Sequence, residues 1–347
     1  MARAKSEKGE GKHYAKVRRQ IGCVPEEMLR LLIRQKYHIA GRHSAAKLCH
    51  WSDSFLKGGE GCYKHKFYGI ASHRCLQCTP VLFFCNHACV FCWRFMPEKD
   101  RYGTIGSGFE WDEPEKIADW LISAQKQIVS GYGGNPKVQK KLYEEACSPR
   151  HVALSLTGEP AMYPKMGRLL KEFHSRGMTT FLVTNGTFPE RMESWEEMPT
   201  QLYVSMVAPN EKIYQQSIRP KEKGLWKKYL KGLEVLRKLG AKTRTVLRMT
   251  LCRGVNDCDL EGYASQIKTA MPHYVEVKSM VFVGGARKPE RGLSLGSMLS
   301  IKEIEEIAEK LAKMTGYIVS EKHVPSRVVL LCKDKEAERN RLIKFEK

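Results

Sequence analysis

The sequence predicts an α/β fold in which a mostly parallel sheet closes, or partly closes, into a barrel. Three observations carry this. From residue 79 onward, short apolar runs of strand length alternate with longer segments of helical periodicity, the order of a β/α chain with crossover helices. Two of those helical segments stop at glycines, Gly177 and Gly240. The residues able to do chemistry cluster at the ends of the apolar runs, where such barrels place them. A chain of 347 residues that is 42% hydrophobic can bury a sizeable core.

The elements follow in order. Residues 1–20 are basic and polar, and 24–36 read as an amphipathic helix. Residues 37–78, rich in Cys, His, Lys and Gly with little periodicity, read as a loop-rich cap. Strands are expected at 81–84, 151–156, 179–184, 202–206, 242–251, 274–283 and 327–331. Helices are expected at 113–129, 137–149, 165–176, 189–197, 224–239, 260–270 and 302–314. No internal repeat interrupts the series.

Charge narrows the partners. The net charge is +21, an excess that suits a polyanion, and RNA is the natural one. No run of about 18 apolar residues occurs, so no membrane span is expected. The start is polar and lacks a signal-peptide stretch, so a cytoplasmic protein is expected. In that reducing compartment its 12 cysteines are metal ligands or buried thiols rather than disulfides.

The strongest signal is Cys85, Cys89 and Cys92, spaced C-x3-C-x2-C with Phe91 before the last cysteine. Three thiolates on one loop can hold three corners of a cubane iron–sulfur cluster and leave one iron open. The alternative is a zinc ribbon formed by Cys75-x2-Cys78 and Cys89-x2-Cys92, which leaves Cys85 idle. The loop closely resembles that of the radical S-adenosylmethionine (SAM) enzymes, which implies an incomplete (β/α)6-type, TIM-like barrel. There the open iron chelates the SAM amino and carboxylate groups, and an electron cleaves SAM to a 5′-deoxyadenosyl radical.

Downstream motifs fit that resemblance. Thr157-Gly158-Glu159-Pro160 matches the family's "GGEP" turn, with Thr157 in place of the first glycine. The resemblance implies that this turn receives the methionine amine. Thr184-Asn185-Gly186 matches a "TNG" strand end lining the cofactor pocket, and Ser205 ends the next strand where the ribose is often held. Arg248, on an inward strand position, is a partner for the SAM carboxylate or, alternatively, for a strand acid. Glu276 and Lys278 alternate on one strand face, and 281–283 form an apolar edge suited to adenine.

Cys49, Cys62 and Cys75 stand at even intervals in a polar segment. Read from the residues alone, they are buried thiols, or a zinc site completed by His50, His65 or His73. Paired with the C-x3-C-x2-C loop, this ladder resembles the archaeal tRNA 4-demethylwyosine synthase family over residues 40–335. That resemblance implies a second [4Fe–4S] cluster on Cys49, Cys62 and Cys75, also with an open iron. It further implies condensation of N1-methylguanosine, 3′ of the anticodon of tRNA-Phe, with two carbons of pyruvate to give a tricyclic base. Lys64 occupies the place of a lysine given a Schiff-base or proton-transfer role. The organisation expected is then a basic, cluster-binding segment at 1–78, a barrel at 79–335 and a charged tail at 336–347. No flavodoxin-like domain is expected before the barrel, so electrons come from a separate donor protein, and a monomer is expected.

The target base must leave its stack to meet a radical at a barrel mouth. Trp93, Arg94, Phe95 and Arg101 after the cysteine loop, and Arg287, Lys288 and Arg291 after the strand at 274–283, are the RNA-facing candidates. Two other classes stay open at this level: another radical SAM RNA-modifying enzyme such as a methyltransferase, and a zinc-dependent RNA-binding module.

Overall fold

The computed structural model describes residues 26–94 and 109–344. Helix α1 (Glu26–Arg34) leads into the antiparallel pair β1 (His38–Ala40) and β2 (Ser44–Ala46). Two short helices, α2 (His50–Leu56) and α3 (Tyr63–Tyr68), precede β3 (Cys75–Thr79). The repeating part runs α4 (Pro114–Ser130), α5 (Lys140–Ala146), β4 (His151–Leu154), α6 (Met166–Ser175), β5 (Thr179–Thr184) and α7 (Pro189–Ser194). It continues through β6 (Gln201–Met206), α8 (Glu211–Ile218), α9 (Leu225–Leu239), β7 (Arg244–Leu251), α10 (Leu260–Ala270) and β8 (Tyr274–Ser279). Helix α11 (Ile301–Thr315), strands β9 (Ile318–His323) and β10 (Val328–Cys332) and helix α12 (Lys335–Arg339) follow.

The ten strands among the described residues form one sheet in the order β1-β2-β3-β4-β5-β6-β7-β8-β10-β9. Strands β3 to β8 are parallel neighbours in chain order, the six-strand core of an incomplete barrel. Antiparallel strands flank it, β2 against β3 and β10 against β8. Side-chain alternation sorts the residues onto two faces. Leu182, Leu202, Val204, Leu247, Met249, Val275 and Val277 join the larger core with the helices. Phe181, Tyr203, Val246 and Tyr274 turn the other way and pack with Tyr63, Phe67 and Tyr68 of α3. The short helix α3 therefore fills the concave side of the sheet.

The parallel sheet starts earlier than its sequence pattern suggests. The run 81–84, expected as the first strand, is not a strand: Val81, Leu82, Phe83 and Phe84 are buried on all sides in an irregular segment after Pro80. A wholly apolar run does not distinguish a strand from a buried turn. The first parallel strand is β3, inside the segment read as a loop-rich cap, and the sheet runs across residue 78. Its Cys-Leu-Gln-Cys-Thr sequence alternates small polar and apolar residues, which hides it. Strand β9 and helix α8 were also not anticipated; β9 is a partly exposed edge carrying Ser320, Glu321 and Lys322, the composition that protects an edge from pairing. The last strand, β10, is present but runs antiparallel. The expected strand at 274–283 ends at Ser279, and Val281 and Val283 of the proposed adenine edge are exposed beyond it. Among the described residues no helix is long and apolar enough to cross a membrane.

Candidate active site

The loop carrying Cys85, Cys89 and Cys92 follows β3 and is held by backbone bonds to helix α8. Ala88 N–H donates to the Ile218 carbonyl and Val90 N–H to the Ser217 carbonyl, both at 2.9 Å. Lys221 N–H donates to the Asn86 carbonyl (2.9 Å). Asn86 also ties the loop to the end of β5: its amide donates to Thr187 Oγ1 (2.8 Å) and its Oδ1 accepts from Asn185 Nδ2 (2.7 Å). The Arg291 guanidinium donates to the Cys89 carbonyl. The loop is thus fixed by neighbours distant in sequence.

The Thr157–Pro160 turn sits against the base of this loop. Thr79 Oγ1 donates to the Thr157 carbonyl (2.6 Å), and Glu159 N–H donates to the Phe84 carbonyl (2.8 Å). Gly158 has φ +72°, and a Cβ there would stand 1.7 Å from the Val81 carbonyl oxygen. Gly158→Ala is therefore expected to cost about 3 kcal/mol or more of stability, read as a lower denaturant midpoint at unchanged slope. The buried Glu159 carboxylate accepts from Ala161 N–H (2.9 Å), Thr184 Oγ1 (2.5 Å) and Asn185 N–H (2.7 Å). Burial pushes its pKa up to about 7 in spite of those donors. Asn185 and Glu159 are thereby brought together. Ser205 lies on β6 in register with Arg248 of β7.

Burial also acts on the thiols of this loop. Burial, and then the nearby Glu159, push Cys85 up to about 12. Burial and the neighbouring thiols Cys92 and Cys85 push Cys89 well above its ordinary value.

Cys49 and Cys62 are the N-cap residues of α2 and α3, and Cys75 opens β3. Tertiary folding gathers them. Burial, then Cys62, raise Cys49; burial, then Cys62 and Cys49, raise Cys75. The amides of Trp51 and Ser52 act on Cys49 in the opposite sense, as a helix N-terminus does for a thiolate. Among the described residues no three Cys, His, Asp or Glu side chains form a single-ion site; a cubane spreads its ligands more widely. His65 Nδ1–H donates to the Ile70 carbonyl and His73 Nε2 pairs with Glu145, bonds that use one nitrogen of each ring.

Lys64, carried by α3, is buried on the concave face. Its Nζ lies 4.7 Å from the Tyr203 ring centre and 5.0 Å from that of Phe181. Burial lowers its pKa, and the positive charge of Arg248 adds to the effect. Arg248 Nε donates to Glu276 Oε2 (3.0 Å), so the strand acid anticipated as its alternative partner is present. Tyr68 OH donates to Glu276 Oε1 (2.9 Å). Lys278 faces the same side and donates to the Ser326 carbonyl (2.8 Å). Sequence reasoning missed Asn86, Tyr63 and Tyr68, and it left open which strand acid pairs with Arg248. Arg248 and Glu276 alternate with apolar neighbours on adjacent strands, and that pattern was the available signal.

The RNA-facing candidates fare unequally. Arg94 is buried, with its guanidinium carbon 3.7 Å from the Trp93 ring centre, so it is not a surface cation. Arg291 is engaged with the cysteine loop, and Lys288 lies 3.6 Å from Glu290. Gly284–Arg287 and Pro289–Arg291 are 3-10 turns, and Gly285 N–H donates to the Trp93 carbonyl (2.8 Å), so this segment packs on the cysteine loop. Trp93 and Arg287 are exposed. Phe95 and Arg101 lie outside the described residues. A cavity of about 820 Å³ among Glu234, Arg237, Glu261 and Lys268 is on the outer helical layer, and neither a cysteine nor Lys64 lines it.

Comparison with known proteins agrees with this geometry. Residues 79–267 match the radical SAM superfamily model, and 269–333 match a model for wyosine base formation. The S-adenosyl-L-methionine-dependent tRNA 4-demethylwyosine synthase of Pyrococcus abyssi is 48% identical over 315 residues, covering 90% of each chain. That of Methanocaldococcus jannaschii is 39% identical over 311 residues, covering 89% of this chain and 96% of its own. A solved structure of TYW1 with a lysine–pyruvate adduct bound superposes with a TM-score of 0.80 at 36% identity, covering 92% of this chain and 99% of that one. These findings set aside the methyltransferase and zinc-module alternatives. The chain belongs to the tRNA 4-demethylwyosine synthase family, radical SAM enzymes of wyosine formation that use SAM and a [4Fe–4S] cluster.

Proposed function

We propose that the chain condenses N1-methylguanosine, 3′ of the anticodon of tRNA-Phe, with two carbons of pyruvate to form the tricyclic 4-demethylwyosine base. The observation that carries this is Lys64, the most buried lysine among the described residues, set on the concave face beside Arg248. A desolvated amine next to a second cation is the arrangement that activates a lysine toward a carbonyl. The lysine–pyruvate adduct of the related TYW1 structure supports the same role.

When bound at Cys85, Cys89 and Cys92, the cluster with SAM supplies a radical able to take hydrogen from the base's N1-methyl group. Glu159 accepts the SAM ammonium, with Thr157, Gly158 and Asn185 shaping the turn around it, and Ser205 meets the ribose. Cys49, Cys62 and Cys75 hold a second [4Fe–4S] cluster, a Lewis acid for the keto acid. Lys64 holds pyruvate as an imine and excludes water by its ring walls. Trp93, Arg287 and Arg101 face the tRNA, and a separate protein donates electrons.

The test is incubation of reduced, reconstituted protein with SAM, pyruvate and N1-methylguanosine-containing tRNA, followed by mass analysis of the digested nucleosides. The tricyclic nucleoside is expected, from protein holding about eight irons per chain. Absence of the nucleoside overturns the reaction; about four irons overturns the second cluster.

Glu159 sets the pH dependence. Its carboxyl titrates at about 7 when the pocket is empty. A neutral carboxyl receives an ammonium poorly, so SAM affinity is expected to rise by up to about tenfold per pH unit below that value and to level off above it. Because the folded value lies above the unfolded one, the same group favours folding at low pH and that contribution is lost as pH rises through about 7. Binding titrations of SAM from pH 6 to 8, compared with Glu159→Gln, check this; the variant is expected to lose the slope.

A further inference from the structure

The concave face around Lys64 carries more positive than negative charge. Lys64, Arg248 and Lys278 meet there, and Glu276 is the carboxylate they share among the described residues. Arg248 gives its Nε to Glu276, but its Nη2 is buried and has no partner. A buried guanidinium nitrogen without an acceptor is costly, and a face with surplus charge favours an anion. Arg248 and Lys64 also share one platform: the guanidinium carbon lies 4.5 Å from the Tyr203 ring centre, and the Lys64 amine 4.7 Å. Glu276 holds the guanidinium through Nε, and Tyr68 in turn holds Glu276.

We propose that Arg248 is the carboxylate receptor for an α-keto acid bound at Lys64, and so selects keto acids over uncharged ketones. The proposal rests on the keto-acid reading above. The lysine nitrogen attacks the ketone carbon, the carbonyl oxygen leaves as water, and the resulting imine keeps the acid's carboxylate. That carboxylate accepts from Nη2 and balances the surplus charge. An ester or amide of the same acid forms the imine but offers no anion, so it binds weakly. The assignment moves Arg248 from the SAM carboxylate, its other conceivable ligand, to the keto acid.

Borohydride trapping on the reconstituted enzyme tests this without turnover. Half-saturation of the trapped Lys64 adduct is measured for pyruvate and for methyl pyruvate, in the parent, Arg248→Lys, Arg248→Gln and the charge-balanced Arg248→Gln/Glu276→Gln pair. The parent is expected to favour pyruvate by about ten- to a hundredfold, the worth of one charged hydrogen bond. Both glutamine variants lose that preference through weaker pyruvate binding, and the lysine variant is intermediate. SAM half-saturation for deoxyadenosine formation stays unchanged. Equal half-saturation for acid and ester in the parent overturns the proposal and leaves Lys64 in its role. So does unaltered pyruvate trapping in the double variant, which removes the argument from misfolding. Weakened SAM alone returns Arg248 to the cofactor. A parent that traps no adduct at Lys64 instead overturns the underlying keto-acid reading.

Discussion

Cys89→Ala is expected to reduce 5′-deoxyadenosine formation from SAM to the uncatalysed background. The reasoning separates chemistry from folding. The loop around Cys89 is held by backbone groups: Val90 N–H on Ser217, Cys92 N–H on the Cys89 carbonyl, and Arg291 on the same carbonyl. Alanine keeps each of those bonds and removes only the thiol. The protein should melt close to the parent, since the lost side chain is small and its thiol has no other task in the core. A three-thiolate cluster site cannot give up one ligand without losing the cluster's geometry. The measurement is chromatography of deoxyadenosine after dithionite reduction, beside a thermal melt. Normal SAM cleavage in the variant would refute the role given to the Cys85, Cys89 and Cys92 triad.

Lys64→Gln is expected to lower formation of the tricyclic nucleoside by about a thousandfold or more while deoxyadenosine still forms. Glutamine fills similar space beneath Tyr203 and Phe181 but cannot condense with a ketone. Stability changes little in this account. The lost cation–π contact is worth about 1–2 kcal/mol at most, and removing a buried ammonium relieves a desolvation cost of the same order. The split between two products is the informative readout. A structural role for Lys64 would weaken both together, whereas a substrate role spares cleavage of SAM. Ring formation near the parent rate would take Lys64 out of the reaction.

Much of this site was legible before folding. The Thr157–Pro160 turn and the Asn185 strand end are local patterns that fall after β4 and β5, whereas the cysteine loop follows β3 and not a strand at 81–84. The thirteen-residue ladder of Cys49, Cys62 and Cys75 was visible as an anomaly of spacing, though not the N-cap positions that explain two of them. The structure buries Arg94 and ties Arg291 to the Cys89 carbonyl for a physical reason. A basic residue after a flexible-looking glycine pair reads as solvated, yet Gly284 and Gly285 let the chain approach Trp93 and Arg94 so closely that no Cβ fits. The segment 37–78 misled in the opposite direction, because its strands are short and half polar.

By itself the sequence determined the alternation of strands and helices, the two thiol sets and the surplus of positive charge, all of which depend on residue type and short-range spacing. Only the tertiary structure decided that α3 lies inside the curve of the sheet. That placement brings Lys64 over Tyr203 and next to Arg248, and hangs Glu276 between Arg248 and Tyr68. Strand register and the packing of aromatic rings set those meetings. They act between residues far apart in the chain, where no periodicity of the sequence can record them.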